Sequence, residues 1–359
     1  MSTIESAIAL FEDASAAREQ GSIAQATTLC AQSLALFEQL EGDSPDTANV
    51  LLTLGELQQA LGDYEEAKES ATRAETILDT LKESFTGPVA VGLRVQALGQ
   101  IGNVLRHQGR YSEAKCFLGK ALELARDGLG ESDENTAFAR NNVGMLYKYT
   151  AQFDEAEELY GTALTALEKE LGEGHPNTAT LYHNLGGLEH ARGNYEKGEP
   201  LARRAWEINR EHLGESHPTT LADAAAWAGL LDGLERYNES EPIYRRVLET
   251  FEALYGPEHY EVVVALNNLA NVRYALGDVA EAESLMRRAL TAKESSLGPE
   301  HPDTALTASN LGVILQSRGQ TDEARTLFTR ALNTFQNTVG KDHPKTQMAR
   351  ENLASVGLS

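Results

Sequence analysis

Residues 256–302 read GPEHYEVVVALNNLANVRYALGDVAEAESLMRRALTAKESSLGPEHP, which is one complete repeat unit together with the start of the next. The unit begins and ends on the same Gly-x-x-His motif, at Gly256 and Gly298. A glycine after an apolar-periodic stretch ends a helix, and a proline suits the first position of the following helix. Gly277 lies between two helical stretches and provides a tight turn. The unit therefore predicts helix A, a short turn, helix B and a longer loop.

The same markers recur along the chain at a constant step of 42 residues. The loop glycines are Gly130, Gly172, Gly214, Gly256, Gly298 and Gly340, and the loop histidines are His175, His217, His259, His301 and His343. The inner-turn markers are Gly109, Ala151, Gly193, Glu235, Gly277 and Gly319. A period of this length is typical of stacked helical repeats. It predicts an all-α fold, a right-handed α-solenoid of tandem helix pairs.

Small residues at fixed distances from each inner turn predict close contact between helix A and helix B. Helix A carries Gly55, Gly102, Gly144, Gly186, Ala228, Ala270 and Gly312, each seven residues before the turn. Helix B carries alanine, glycine or serine five residues after the turn, as at Ala114 and Gly198. Small side chains at these spacings let two helices approach closely.

These positions resemble the tetratricopeptide repeat, in the 42-residue form found in the cargo-binding half of kinesin light chains and in bacterial relatives. The Leu-Gly-x-x-His-Pro loops and the LNNLA segment at 266–270 carry the resemblance. It implies three regions: a degenerate helix pair over residues 1–43, seven repeats over 44–343, and a capping helix and tail over 344–359. No heptad coiled coil is visible, so attachment to a motor is not implied.

Composition limits the classes of function. The formal net charge is −23, from 54 acidic and 31 basic residues, which disfavours nucleic acid and anionic membranes as partners. The charge serves solubility or steers a basic partner. Cys30 and Cys116 lack metal or disulfide spacing, and acidic residues near the start argue against a signal peptide, so we expect a cytoplasmic protein.

In the resembling family, six positions of each helix A face the inner groove: six, three and two residues before its small residue, and one, four and five after it. We call this the inward rule. Asparagines are concentrated there, with nine of the chain's 17, whereas the only acids are Glu56 and Asp232. An amide offers donors and an acceptor to an extended peptide backbone. The candidate peptide-binding residues are Asn103, Arg106, Asn141, Asn142, Lys148, Tyr149, His183, Asn184, His190, Asn267, Asn268, Asn271, Tyr274, Asn310 and Gln316.

Two questions stay open at this point. The asparagines hold a peptide main chain, as the resemblance implies, or they bond between neighbouring A helices and order the stack; both roles can coexist. Repeat five replaces its groove amide with Ala226 and has alanine and glycine around it. These residues form a shallow apolar pocket for a ligand side chain, or the sequence of repeat five has simply diverged from the repeat pattern.

Catalytic and metal-binding motifs are not apparent in the sequence. There is no phosphate-binding loop, no GxGxxG after a strand, and no HExxH or CxxC pair. The loop histidines fall one per repeat, about 10 Å apart, so they suit loop ordering better than a shared metal ion. His183 and His190 share a helix face. We expect them to contact a ligand in the groove rather than to take part in catalysis or metal binding.

We therefore expect a non-enzymatic adaptor that needs no cofactor and binds a protein or peptide segment in its concave groove. One alternative is an assembly scaffold that acts through its edges or its convex face. The other is an enzyme or small-molecule sensor built on the same solenoid. The oligomeric state is open.

Overall fold

The structure is a computed structural model that describes residues 3–338, 340–341 and 344–357. The described residues form seventeen α-helices and no strand. The helices are α1 Ile4–Glu19, α2 Ile23–Glu41, α3 Pro45–Leu61, α4 Tyr64–Thr80, α5 Pro88–His107, α6 Tyr111–Leu129, α7 Glu134–Tyr149, α8 Phe153–Leu171, α9 Pro176–Arg192, α10 Tyr195–Leu213, α11 Pro218–Gly233, α12 Tyr237–Tyr255, α13 Tyr260–Ala275, α14 Val279–Leu297, α15 Pro302–Ser317, α16 Thr321–Thr338 and α17 Pro344–Ser355. The predicted all-α solenoid of eight helix pairs and one final helix is confirmed.

The helices divide into two compact units, residues 1–220 and residues 221–359. We call the odd-numbered helices A helices and the even-numbered ones B helices. From α1 to α10, and from α12 to α17, each helix packs on the helices that precede and follow it within that range. The predicted domain boundary after residue 43 falls in the loop between α2 and α3. The division into three regions stays a prediction.

The small residues predicted on helix A lie where the paired helix comes closest. A Cβ atom built on Gly144 would lie 2.7 Å from Cε1 of Tyr160, and one on Gly312 would lie 2.6 Å from Cε1 of Phe328. Both aromatic rings are fully buried. Glycine is therefore needed at these positions because a large B-helix side chain takes the space that a side chain on helix A would fill.

Four of the loop histidines cap the helices that follow them. Nδ1 of His175, His217, His259 and His301 accepts a hydrogen bond from the backbone N–H two residues further on, over 3.1–3.3 Å. This is N-capping, because it satisfies one of the amides that a helix start leaves without a partner. Among the described residues, no group of three or more metal-ligating side chains comes together. His343 lies outside the described residues.

Two inner turns have a non-glycine residue with left-handed backbone. Ala151 has a φ of 59° and Glu235 a φ of 58°, in the turns where the other repeats place glycine. Left-handed backbone costs a residue with a Cβ about 1 kcal/mol. The turn geometry is thus imposed by the packing of the two helices, even where the sequence opposes it.

Candidate functional site

The inner faces of the A helices in the first unit enclose a cavity of about 700 Å³. Residues from α1, α3, α5, α7 and α9 line it, so it spans five successive helix pairs. The lining residues are Arg18, Glu56, Gln59, Val95, Gln96, Gln100, Asn103, Glu134, Asn135, Phe138, Ala139, Asn142 and Asn177. Seven of these thirteen side chains are amides, which makes the wall rich in both hydrogen-bond donors and acceptors.

Several of the amides have unused hydrogen-bonding capacity. Gln100 is 6% exposed, and its Nε2 donates to the Leu52 carbonyl oxygen over 3.0 Å, but its Oε1 has no partner. The Oδ1 atom of Asn103 is buried and also lacks a partner. Asn142 makes no hydrogen bond to any described residue. A buried polar atom without a partner carries a cost, which an N–H group of a bound molecule would relieve.

Each of the two acids in the wall has a local partner. Oε2 of Glu56 lies 2.8 Å from Nη1 of Arg18 in an ion pair. The other carboxylate oxygen, Glu56 Oε1, accepts a hydrogen bond from Gln100 Nε2 over 3.4 Å. Glu134 accepts a hydrogen bond from the side-chain amide of Asn177. The cavity therefore presents amides and one aromatic ring, Phe138, rather than the acidity of the chain as a whole.

Neighbouring A helices use some of the predicted asparagines to bond with one another. Nδ2 of Asn184 donates to Oδ1 of Asn141 over 2.7 Å, and Asn141 is 5% exposed. In the second unit, Nδ2 of Asn352 donates to Oγ of Ser309 over 3.1 Å. These bonds order the stack, which is one of the two roles considered for the asparagines.

The predicted residues Arg106, Lys148 and Tyr149 form a cluster with two basic side chains near the ends of α5 and α7. The Arg106 guanidinium lies over the Tyr149 ring at 4.7 Å from its centroid and is 4% exposed. Burial, and secondly the charge of Arg106, lower the pKa of Lys148. Partial burial and then Arg106 also lower the pKa of His107 to about 4. His107 stacks on Tyr64 with ring centroids 4.8 Å apart.

The two histidines predicted on α9 lie close to other side chains. His190 is exposed and meets Tyr195 edge to face, with ring centroids 5.5 Å apart. His183 is half-buried.

The predicted residues of the second unit lie on α13 and α15 and vary in exposure. Asn267 donates to the Val263 carbonyl oxygen over 2.7 Å within its own helix. Asn271 is exposed, and Gln316 donates to Ser355 Oγ on α17 over 3.0 Å. The others are half-buried, namely Asn268, Tyr274 and Asn310.

Sequence reasoning missed part of the cavity wall. Gln59, Gln96 and Gln100 occupy positions that the inward rule already covers, so glutamine could have been counted with asparagine. Asn135 and Asn177 share one repeat position, nine residues before the small residue of helix A. That position lies outside the rule, and only their common spacing of 42 residues would have indicated it.

A chain of tandem helix pairs with an amide-lined inner face belongs to the class of helical-repeat interaction proteins. The sequence profile of the tetratricopeptide repeat matches residues 5–80, 93–169, 150–211, 177–253, 220–295, 261–337 and 303–358. The chain therefore belongs to the tetratricopeptide repeat family, whose members are typically interaction scaffolds without enzymatic activity. Comparison with curated proteins gives no significant match.

Solved structures of the same fold include a kinesin light chain-like protein. BtubC (BKLC) from P. vanneervenii is 21% identical, with a TM-score of 0.55, over 66% of this chain and 92% of that one. A Rap protein complexed with Competence and Sporulation Factor is 15% identical, with a TM-score of 0.57, over 99% and 98% of the two chains.

A signal transduction ATPase with a tetratricopeptide repeat sensor, from Pyrococcus horikoshii, also has this fold. It is 14% identical, with a TM-score of 0.64, over 95% of this chain and 49% of that one. At these identities the likeness concerns the fold alone.

In the described part of the chain, no helix is both long and apolar enough to cross a membrane.

Proposed function

We propose that the first unit binds an extended segment of a protein partner in the cavity between its A helices. The observation that carries this proposal is the set of unused amide groups in the wall. Asn103 Oδ1 and Gln100 Oε1 are acceptors without partners, and Asn142 has a free side-chain amide. An extended backbone offers an N–H and a C=O at every residue, which matches donors and acceptors placed in successive repeats.

The electrostatics of the cavity agree with a peptide rather than a strongly charged ligand. Glu56 is paired with Arg18, Glu134 accepts a hydrogen bond from Asn177, and the amides are uncharged. The Rap protein of similar fold was solved in complex with Competence and Sporulation Factor, so a related solenoid accommodates a second molecule. The proposed role is that of a non-enzymatic adaptor in the cytoplasm.

Peptide display tests this function directly. Random twelve-residue peptides selected on the full chain are measured by fluorescence anisotropy against Asn103→Ala and Asn142→Ala. Loss of a hydrogen bond to a buried amide lowers affinity by about tenfold. Asn238→Ala, at an exposed position on α12, is the matched control and leaves affinity unchanged.

If the protein is instead an assembly scaffold that acts through its edges or convex face, we expect the opposite result. Selected peptides would bind the two cavity variants as tightly as the unchanged protein, and their hydrogen-exchange protection would fall on the B helices. That outcome would overturn binding in the cavity.

A further inference from the structure

The turn between α1 and α2 contacts residues near the end of the first unit. A Cβ atom built on Gly21 would lie 2.7 Å from Cδ and 3.0 Å from Cγ of Pro218, and 3.9 Å from Cδ2 of His217. The glycine backbone therefore lies against the proline ring, with no room for a further side chain between them. We call this contact between Gly21 and residues 217–218 the closure contact.

The closure contact completes a ring of five helix pairs. Successive helices pack on one another from α1 to α10, and residues 214–217 connect α10 to Pro218. The cavity of about 700 Å³ lies within this ring, since its wall includes Arg18 of α1 and Asn177 of α9, which are the first and the fifth A helices. Around its circumference the cavity is therefore bounded by α1 to α10 and by the closure contact.

Hydrogen bonds between the A helices oppose opening of the ring. Nε2 of Gln100 on α5 donates to the Leu52 carbonyl oxygen on α3 over 3.0 Å. Nδ2 of Asn184 on α9 donates to Oδ1 of Asn141 on α7 over 2.7 Å. Opening the ring would spread the inner sides of these helices and break such bonds. Gln100 and Asn141 are buried, so each broken bond would leave polar atoms without partners.

An extended chain is too wide to pass the closure contact while the ring is closed. The spacing of strands and sheets gives an extended segment a cross-section of about 5 Å by 10 Å. Gly21 and Pro218, by contrast, are in van der Waals contact. A segment therefore reaches the amides of the cavity wall by moving along the axis of the ring, and this route requires a chain end.

We propose that the cavity takes a terminal segment of its protein partner, which enters by its chain end. A segment that folded domains flank on both sides is excluded. The occupant is thus an extended tail at the N- or C-terminus of a protein, or a peptide. This inference deepens the proposed function and rests on it, because the cavity must bind a segment for the route of entry to matter.

A disulfide across the closure contact tests the ring itself. Cβ of Pro218 is bonded to its Cγ, so it lies within about 4.5 Å of a Cβ at position 21, a separation that suits a disulfide. The exposed Cys116 is first removed by Cys116→Ser. In that background, Gly21→Cys/Pro218→Cys forms the cross-link in oxidised glutathione.

Gly62→Cys/Pro218→Cys is the matched control and stays reduced. Gly62 lies in the turn between α3 and α4 with a φ of 87°, close to the 76° of Gly21, but no atom lies within 4 Å of a Cβ built on it. Cross-linking of the 21–218 pair that is no faster than that of the 62–218 pair would overturn the ring, and would leave the proposed function standing.

Peptides whose binding depends on Asn103 and Asn142 test the route of entry. Each peptide is compared with versions that carry a small folded domain at the N-terminus, at the C-terminus or at both ends. Gly/Ser linkers of about 20 residues, spanning about 25 Å, keep the domains away from the protein. Stopped-flow fluorescence measures the association rate of each version. The two versions with a single domain are the controls for steric hindrance.

The peptide and both single-domain versions associate at similar rates, with or without the 21–218 cross-link. The version with two domains binds only while the ring is open. Its association rate is therefore lower by about a hundredfold or more, because opening breaks buried hydrogen bonds. In the cross-linked protein it does not bind.

Three results would contradict these expectations. Equally fast binding of the two-domain version would overturn entry by a chain end. Loss of peptide binding in the cross-linked protein would show that the segment enters through the closure contact, and would overturn it as well. Selected peptides that ignore Asn103 and Asn142 would overturn the proposed function and this inference together.

Discussion

Asn184 on α9 donates a hydrogen bond to Asn141 on α7 over 2.7 Å, so the two A helices are joined through their side-chain amides. The adjacent residue Asn142 faces the cavity and has no partner among the described residues. Two consecutive asparagines thus have different environments. Asn141 bonds to the neighbouring A helix, and Asn142 lines the cavity.

This difference predicts opposite effects of two alanine substitutions. Asn184→Ala leaves Oδ1 of the buried Asn141 without its donor and lowers the local stability of α7 and α9 by about 1–2 kcal/mol. Asn142→Ala changes stability by less than about 0.5 kcal/mol, because no bond is lost. Native-state hydrogen exchange of the two helices measures both values. Equal losses in the two variants would contradict the separation of roles.

The seam between helix A and helix B predicts a second pair of opposite effects. Gly144→Ala places a Cβ 2.7 Å from the buried Tyr160 ring and destabilises the protein by about 1–3 kcal/mol. Gly161→Ala, on α8 with no atom within 4 Å of the new Cβ, stabilises it by about 0.5–1 kcal/mol. Urea unfolding followed by circular dichroism compares them. If both substitutions destabilised the protein, backbone conformation, and not contact with Tyr160, would explain why position 144 holds glycine.

The loop histidine His259 predicts a dependence of stability on pH. Burial lowers the pKa of His259 below its ordinary 6.5, and its ring stacks on Tyr255 with centroids 4.3 Å apart. The unfolded chain then binds a proton more readily than the folded one. Stability is therefore lost as pH falls through 6.5 toward the lowered value, and then levels off.

Substitution of His259 by asparagine isolates this effect. Asparagine also caps helices but does not titrate, so Tm of His259→Asn falls less between pH 8 and pH 5 than Tm of the unchanged protein. At pH 8 the two values are close. An identical fall in both proteins would show that other groups, chiefly the carboxylates, account for the acid sensitivity.

The repeat markers made the fold predictable because each has a local cause. Gly298 ends a helix and His301 begins the next one, so the helix boundaries follow from neighbouring residues. Ala151 and Glu235 were recognised as turn positions only by their spacing, since neither residue favours a left-handed backbone. The 42-residue period therefore identified two turns that residue preferences alone would not have indicated.

The candidate site was less predictable, because it depends on which neighbour each side chain meets. The inward rule treats Asn141 and Asn142 alike, but one is buried against Asn184 and the other lines the cavity. Among the described residues Lys148 has no ion pair, which is likewise a property of packing. No spacing in the sequence shows which of the many acids reaches which base.

Contacts between distant parts of the first unit were also invisible in the sequence. The turn between α1 and α2 packs against the first residue of α11: a Cβ on Gly21 would lie 2.7 Å from Cδ of Pro218. Burial also lowers the pKa of His217, the residue before Pro218. The first helix pair therefore meets residues nearly two hundred positions away.

This contact predicts that a substitution in the α1–α2 turn acts on two segments at once. Gly21→Ala combines a left-handed φ of 76° with a clash against Pro218, so hydrogen exchange speeds up both in the turn and in residues 217–221. Gly62→Ala is the matched control: its φ is 87°, but no atom lies within 4 Å of the new Cβ. It carries a comparable backbone cost, about 1 kcal/mol, and exchange rises only in its own turn. Unchanged exchange at 217–221 in Gly21→Ala would show that the turn and the distant loop are not in contact in solution.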